Sequence, residues 1–359
     1  MKSAQSYLPI VFALLVGLFW GCYGDTLAQA RSAARSPFKP YLMIGIAYLV
    51  WGIAGGAIGM KRTGASFSFT GQQTLWGFAA GSLGAFGAFS LTMAMVQGGK
   101  DYPHVVMAMV FGTAVTVAAL IRLVLFQAYK HAKPMLWVGF AGVAACAALV
   151  AIFTPAAEGA HSGGEESTKL LPFLFALLVG LFWGSYGDTL AKARPKTDPN
   201  PFKPYLMIGL AYLVWGIIGA SIGIVARGET FELSTAQVIW GFAAGTLGAF
   251  GAFSLTMAMF KGGHHHPHVV MAMVFGTAVT VAAVVRVIVL VATGAEFDAE
   301  PWLWVGIAGI AISAAIVALN TPGIKKPAKA PKPEDSAQQP AEANTAIQTP
   351  ETQVTAGAE

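Results

Sequence analysis

The sequence predicts an all-α polytopic membrane protein, and three observations carry that prediction. Apolar runs recur along the chain at about the 20-residue length that crosses a ~30 Å hydrocarbon core. Charge is scarce: 11% of residues are charged against 55% hydrophobic, with a mean hydropathy of +0.62, where a soluble chain carries about 25% charged residues. The chain also repeats itself, so that FWGCYGDTLA at Phe19–Ala28, an apolar stretch ending on an aspartate turn, returns as FWGSYGDTLA at Phe182–Ala191.

Ten runs read as membrane spans. Lipid offers the backbone no hydrogen-bond partner, so each must be a helix, and the apolar/polar alternation of barrel strands is absent. The first, Leu8–Ala28, is followed by Ala28-Gln29-Ala30, which imitates a signal-peptidase site. The sixth, Leu171–Ala191, repeats it internally before Ala191-Lys192-Ala193, so the first is read as a retained helix. The second, Tyr41–Met60, and the seventh, Tyr205–Val225, are each introduced by PFKPYLMIG. The third, Leu75–Val96, and the eighth, Val238–Phe260, read WGFAAGSLGAFGAFS and WGFAAGTLGAFGAFS, and Gly77, Gly81, Gly84 and Gly87 have the spacing that lets helices approach closely. The fourth, His104–Phe126, and the ninth, His268–Ala292, each follow a proline. The fifth, Met135–Phe153, and the tenth, Leu303–Leu319, share LWVG. Trp76, Trp137, Trp240 and Trp302 begin spans, where an interfacial aromatic belt is expected.

Between Trp76 and Leu120 the chain matches Trp240–Val284 at 38 of 45 positions, with a repeat length of about 164 residues. Each copy holds five spans. An odd number sends the second copy into the membrane from the opposite side, which predicts an inverted-topology repeat, an arrangement typical of secondary transporters. The expected organisation is a first five-helix repeat over 1–154, an extracytoplasmic linker over 155–170 (containing EGAHSGGEES), a second repeat over 171–322 and a disordered cytoplasmic tail over 323–359, rich in Pro, Ala, Lys and Gln. Lys and Arg number fourteen on the side of both termini and six on the other. That imbalance predicts an integral, multi-pass protein of the cell inner membrane with both ends in the cytoplasm.

Four charges fall within the spans: Asp25, Asp188, Arg122 and Arg286. Charges at such depth are functional candidates by default. Counting residues along each helix puts Asp25 and Arg286 near one boundary and Asp188 and Arg122 near the other, so an aspartate of one copy can meet an arginine only of the other. One reading is a pair of gates, alternately made and broken. A plainer one is snorkelling, with the arginines reaching headgroups and the aspartates pairing with Arg31 or Arg194. Protonation of Asp25 or Asp188, as in proton-coupled carriers, is a third.

Trp20 and Trp183 lie deep, beside Tyr23 and Tyr186, where they could stack on a substrate or simply pack. His104 and His268, at matched helix starts, are candidates for a cavity rim. The run HHHPH at His264–His268 invites a metal reading, but its counterpart KDYPH lacks the cluster, and a solvated loop accounts for it. No nucleophile–base arrangement, P-loop or metal signature occurs, so neither an enzyme nor a cofactor is expected. Cys22 and Cys146 sit in apolar spans without disulfide or ligand spacing. The net charge of +5 sits in loops and tail with no basic, aromatic-interleaved stretch for nucleic acid.

Two five-span repeats with both ends on one side, the FWGCYG and FWGSYG openings, the small-residue helix GFAAGSLGAFGAFSLTMAM, the helix HVVMAMVFGTAVTVAAL and the Gly-bearing LWVGFAGVAAC together resemble the drug/metabolite transporter superfamily, in its EamA-type or glucose/ribose-porter-type members. The resemblance covers nearly Leu8–Leu319. It departs where EamA members often carry a proline inside the fourth helix and a glutamate near its end; Phe111-Gly112-Thr113 and Arg122 stand there instead. The resemblance implies that the third, fourth, eighth and ninth helices line a central cavity, with the first and sixth helping to gate it. The function expected is secondary transport of a small polar metabolite (sugar, amino acid or related compound) by alternating access. A lipid-linked substrate flippase and a ligand-binding receptor or scaffold signalling through its tail are the alternatives. The partners expected are the substrate and the lipid bilayer, and a homodimer is compatible with them.

Overall fold

The computed structural model describes residues 4–30, 36–125, 128–153, 170–293 and 300–321. The predicted linker over 155–170, except Leu170, and the tail over 323–359 lie outside the described residues. No strand occurs among the described residues. Helices α1 (Ala4–Gln29), α2 (Phe38–Arg62), α3 (Gly71–Val96), α4 (Pro103–Leu125) and α5 (Pro134–Phe153) make up the first half, and α6 (Leu171–Lys192), α7 (Phe202–Ala226), α8 (Thr235–Phe260), α9 (Pro267–Thr293) and α10 (Pro301–Asn320) the second. Eight of these, all but α5 and α10, are long and apolar enough to cross a membrane. Their outward side chains are apolar, among them Leu14, Leu18, Ile58, Val124, Leu174, Leu181 and Ile222. An apolar surface of that extent needs lipid around it. The protein is therefore a polytopic helical membrane protein.

Local sequence sets where these helices begin. Thr70 accepts from the Gln73 backbone N–H while the Gln73 side chain accepts from the Thr70 N–H, and Ser234 and Gln237 do the same. Such capping boxes satisfy two of the orphan donors at the start of α3 and α8. Gly98 and Gly262 end the same helices with φ of 119° and 128°, a backbone region that a β-carbon resists. The chain then reverses within one short 3₁₀ turn into α4 and α9.

The first helix of each half packs mainly on the other half. α1 lies against α8 and α9, and α6 against α3 and α4. α2 and α7 contact each other and cross between them to α8 and α3 respectively. Where α2 meets α7 the helices touch backbone to backbone. A β-carbon on Gly45 would stand 2.7 Å from the Gly216 carbonyl carbon, and one on Gly52 would stand 2.9 Å from the Gly209 Cα. Each crossing falls on or beside a seven-residue π-helical stretch, Leu49–Gly55 in α2 and Leu213–Gly219 in α7, a feature that the apolar pattern does not foretell. The i→i+5 bonding of such a stretch shifts the register of all that follows, so that the end of α2 turns Gly56 and Gly59 toward Leu206 and Phe202 of α7.

Lysines fasten the ends of this crossing. Lys39 Nζ donates to the Glu232 carbonyl at 2.8 Å, and Lys203 Nζ donates to the Ser68 carbonyl at 2.7 Å and pairs with Asp198. Gly45→Ala is expected to lower stability by about 1–3 kcal/mol through overpacking. Gly71→Ala, where a β-carbon meets nothing within 4 Å, should leave the thermal midpoint of the purified protein unchanged.

Candidate functional site

At the centre of the helices six rings close around a cavity lined by Trp20, Tyr23, Tyr48, Trp183, Tyr186 and Tyr212, with Gly84 and Gly248 completing the wall. Each half supplies one Trp, two Tyr and one Gly at equivalent repeat positions. Trp20 and Trp183 stack with ring centroids 5.3 Å apart, and Tyr48 and Tyr212 lie face to face at 3.5 Å with planes within 2°. Each indole donates across the halves: Trp20 Nε1 to the Gly248 carbonyl and Trp183 Nε1 to the Gly84 carbonyl, both at 3.4 Å. An outer layer bonds within each half instead, with Tyr41 Oη donating to the Ala85 carbonyl at 2.9 Å and Tyr205 Oη to the Ala249 carbonyl at 3.1 Å. Phe111 of α4 and Phe275 of α9 back the indoles at 6.1 Å and 6.3 Å.

The lining carries no charged side chain. Its polar groups are tyrosine hydroxyls and indole N–H groups, and the Tyr23 hydroxyl is buried with no hydrogen-bond partner among the described residues. A buried hydroxyl left so is costly, and a polar guest would relieve it. The free space holds about one water molecule.

The four charges within the spans lie outside this cavity. Arg122 Nη2 of α4 donates to Asp188 Oδ1 of α6 at 2.6 Å, while Arg286 Nη1 of α9 and Asp25 Oδ1 of α1 stand 3.9 Å apart. Both pairs join one half to the other, as depth along the helices had required. They differ in tightness. In the second pair Arg286 Nη2 also donates to the Asp101 carbonyl at 3.3 Å, which draws the guanidinium toward the α3–α4 turn. Asp25 sits half a turn beyond Tyr23, and Asp188 half a turn beyond Tyr186, so each acid leaves its helix on the face opposite the one that lines the cavity.

His104 and His268 do not rim the aromatic cavity. They lie in the first turns of α4 and α9, about 10 Å along the helix from Phe111 and Phe275. His104 stacks on Trp304 of α10 with centroids 6.1 Å apart, and His268 lines a separate small cavity with Val115, Ala119, Ala272 and Thr321. No group of three or more His, Cys, Asp or Glu suited to a metal ion occurs among the described residues. Reading the sequence missed Tyr48 and Tyr212. The duplicated AYLVWG around them was a signal, but each lies within a long apolar run with no polar neighbour to mark it.

The two ion pairs predict unequal penalties. Arg122→Gln leaves Asp188 uncompensated and should cost about 3–5 kcal/mol, the range for breaking a buried pair. Arg286→Gln should cost less, and Arg122→Gln/Asp188→Asn should recover part of the first loss. Thermal unfolding of the purified variants measures all three.

No protein-family model matches this chain, and no curated protein sequence is similar to it. Among solved structures, one described only as "Crystal structure of protein" is similar in fold, with a TM-score of 0.55 and 16% identity over 86% of this chain and 96% of that one.

Proposed function

We propose that the protein is a secondary transporter for a small polar metabolite, of the drug/metabolite transporter type (EamA-like or glucose/ribose-porter-like), with ten spans in two inverted five-helix halves. The observation that carries this reading is the shared cavity. Equal contributions from both halves meet in one aromatic chamber, and outside it each half is tied to the other by an Asp–Arg pair. In a carrier built this way the two halves rock about their common contact, and the site opens to one side or the other. The Arg122–Asp188 pair holds one end shut, and the looser Arg286–Asp25 pair guards the other. The chamber is occluded in this conformation, so a metabolite enters only when Trp20 and Trp183 separate. Protonation of Asp25 or Asp188 would weaken its pair and so couple opening to a proton.

Substrate counterflow in proteoliposomes, screened against pools of sugars and amino acids, tests the proposal. Trp20→Ala and Trp183→Ala should each reduce flux at least tenfold, while deletion of 323–359 should leave it intact. A protein that signals through its tail would show the opposite pattern. The swap Asp25→Arg/Arg286→Asp should restore flux lost in either single variant, and failure to do so removes the gate from the mechanism.

A further inference from the structure

Within their best-matched stretch, the two halves differ most where one of them gathers positive charge. Of the seven mismatches between Trp76–Leu120 and Trp240–Val284, five fall in a single turn: Val96, Gln97, Lys100, Asp101 and Tyr102 become Phe260, Lys261, His264, His265 and His266. In the second half that turn opens onto a pocket of about 330 Å³ lined by Leu8, Arg194, Phe260, Lys261, His264 and His265 beside Gly262. Among the described residues no carboxylate lines it.

Arg194 is held in place in this pocket. His264 donates from Nδ1 to the Met259 carbonyl at 3.0 Å, which leaves Nε2 to accept from Arg194 Nη1 at 3.2 Å. Burial, then Arg194, then His265 hold the His264 imidazole below its ordinary pKa, in keeping with an Nε2 that accepts from a guanidinium. Gln72 of α3 fixes the backbone around Arg194 by donating to the carbonyls of Lys192 at 2.7 Å and Arg194 at 3.4 Å. Arg194 Nε has no acceptor among the described residues. At the matching turn of the first half a carboxylate, Asp101, stands where His265 does, and its backbone carbonyl takes a hydrogen bond from Arg286. That turn is an internal part of the protein's own contacts.

We infer that the Arg194–Lys261–His264–His265 pocket is a binding site for a phosphoryl anion, presented by a lipid headgroup or as free phosphate. A guanidinium and an ammonium around an acid-free pocket supply the charge-assisted donors that such a group requires. Leu8 and Phe260 give the apolar flank on which an acyl glycerol backbone could rest, as in basic sites between membrane helices.

The test uses the full-length protein. Native mass spectrometry from nanodiscs of phosphatidylglycerol and phosphatidylcholine counts retained lipids, and calorimetry in neutral detergent titrates inorganic phosphate. Lys261→Gln restores the residue of the first half, Arg194→Gln removes the guanidinium, and Lys192→Gln removes an equal charge outside the pocket. Retention of one phosphatidylglycerol, weakened about five- to tenfold by Lys261→Gln and Arg194→Gln and unchanged in Lys192→Gln, supports a headgroup site. The same pattern for inorganic phosphate supports a free-anion site. Absence of both, or equal weakening by Lys192→Gln, overturns the inference and reduces the cluster to diffuse surface charge.

Discussion

The seating of each half's first helix in the other half is the constraint from which the rest of the structure follows. α1 leans on α8 and α9, and α6 on α3 and α4. Inside lipid there is no hydrophobic force to bring apolar helices together, so contact depends on close packing and on polar partners. Both are supplied across the halves rather than within them. The indoles of Trp20 and Trp183 reach over to glycine carbonyls, and Asp25 and Asp188 reach over to arginines. Remove the exchange, and each acid is left in an apolar setting without its cation.

Near-identity of the halves makes those contacts come in twos, and the exceptions are therefore informative. The cavity tyrosines and tryptophans, the lysine clamps and the capping boxes all have their counterpart. The ion pairs share chemistry but not distance, 2.6 Å against 3.9 Å, and the turns after α3 and α8 share backbone shape but not charge. The tighter pair and the basic turn are where the two halves cease to be equivalent.

The sequence made much of this architecture legible because membrane physics is simple. Run length gives eight helices able to span, small-residue spacing gives the close-packed α3 and α8, and depth along the helices gives which acid can meet which base. It left other features hidden. Nothing in LVWGIAG or LVWGIIG announces a π-helical stretch, since a widened turn depends on the neighbouring helix at Gly45 and Gly216 and not on local preference. The Tyr48–Tyr212 stack is equally silent, because an aromatic within an apolar run becomes a site only through what faces it. The cationic pocket was half visible: His264–His266 stood out, but the arginine that completes it comes from the end of α6, some 70 residues earlier in the chain.

The cross-half pairing of Asp25 has a consequence for biosynthesis. Its arginine lies about 260 residues further along the chain. At about 5–20 residues per second of translation, α1 waits on the order of 10 to 50 s before α9 emerges from the ribosome. Until then the carboxylate has to stay protonated or remain near the water interface, and the newborn first half is an intermediate whose charge is neutralised only when the last helices arrive.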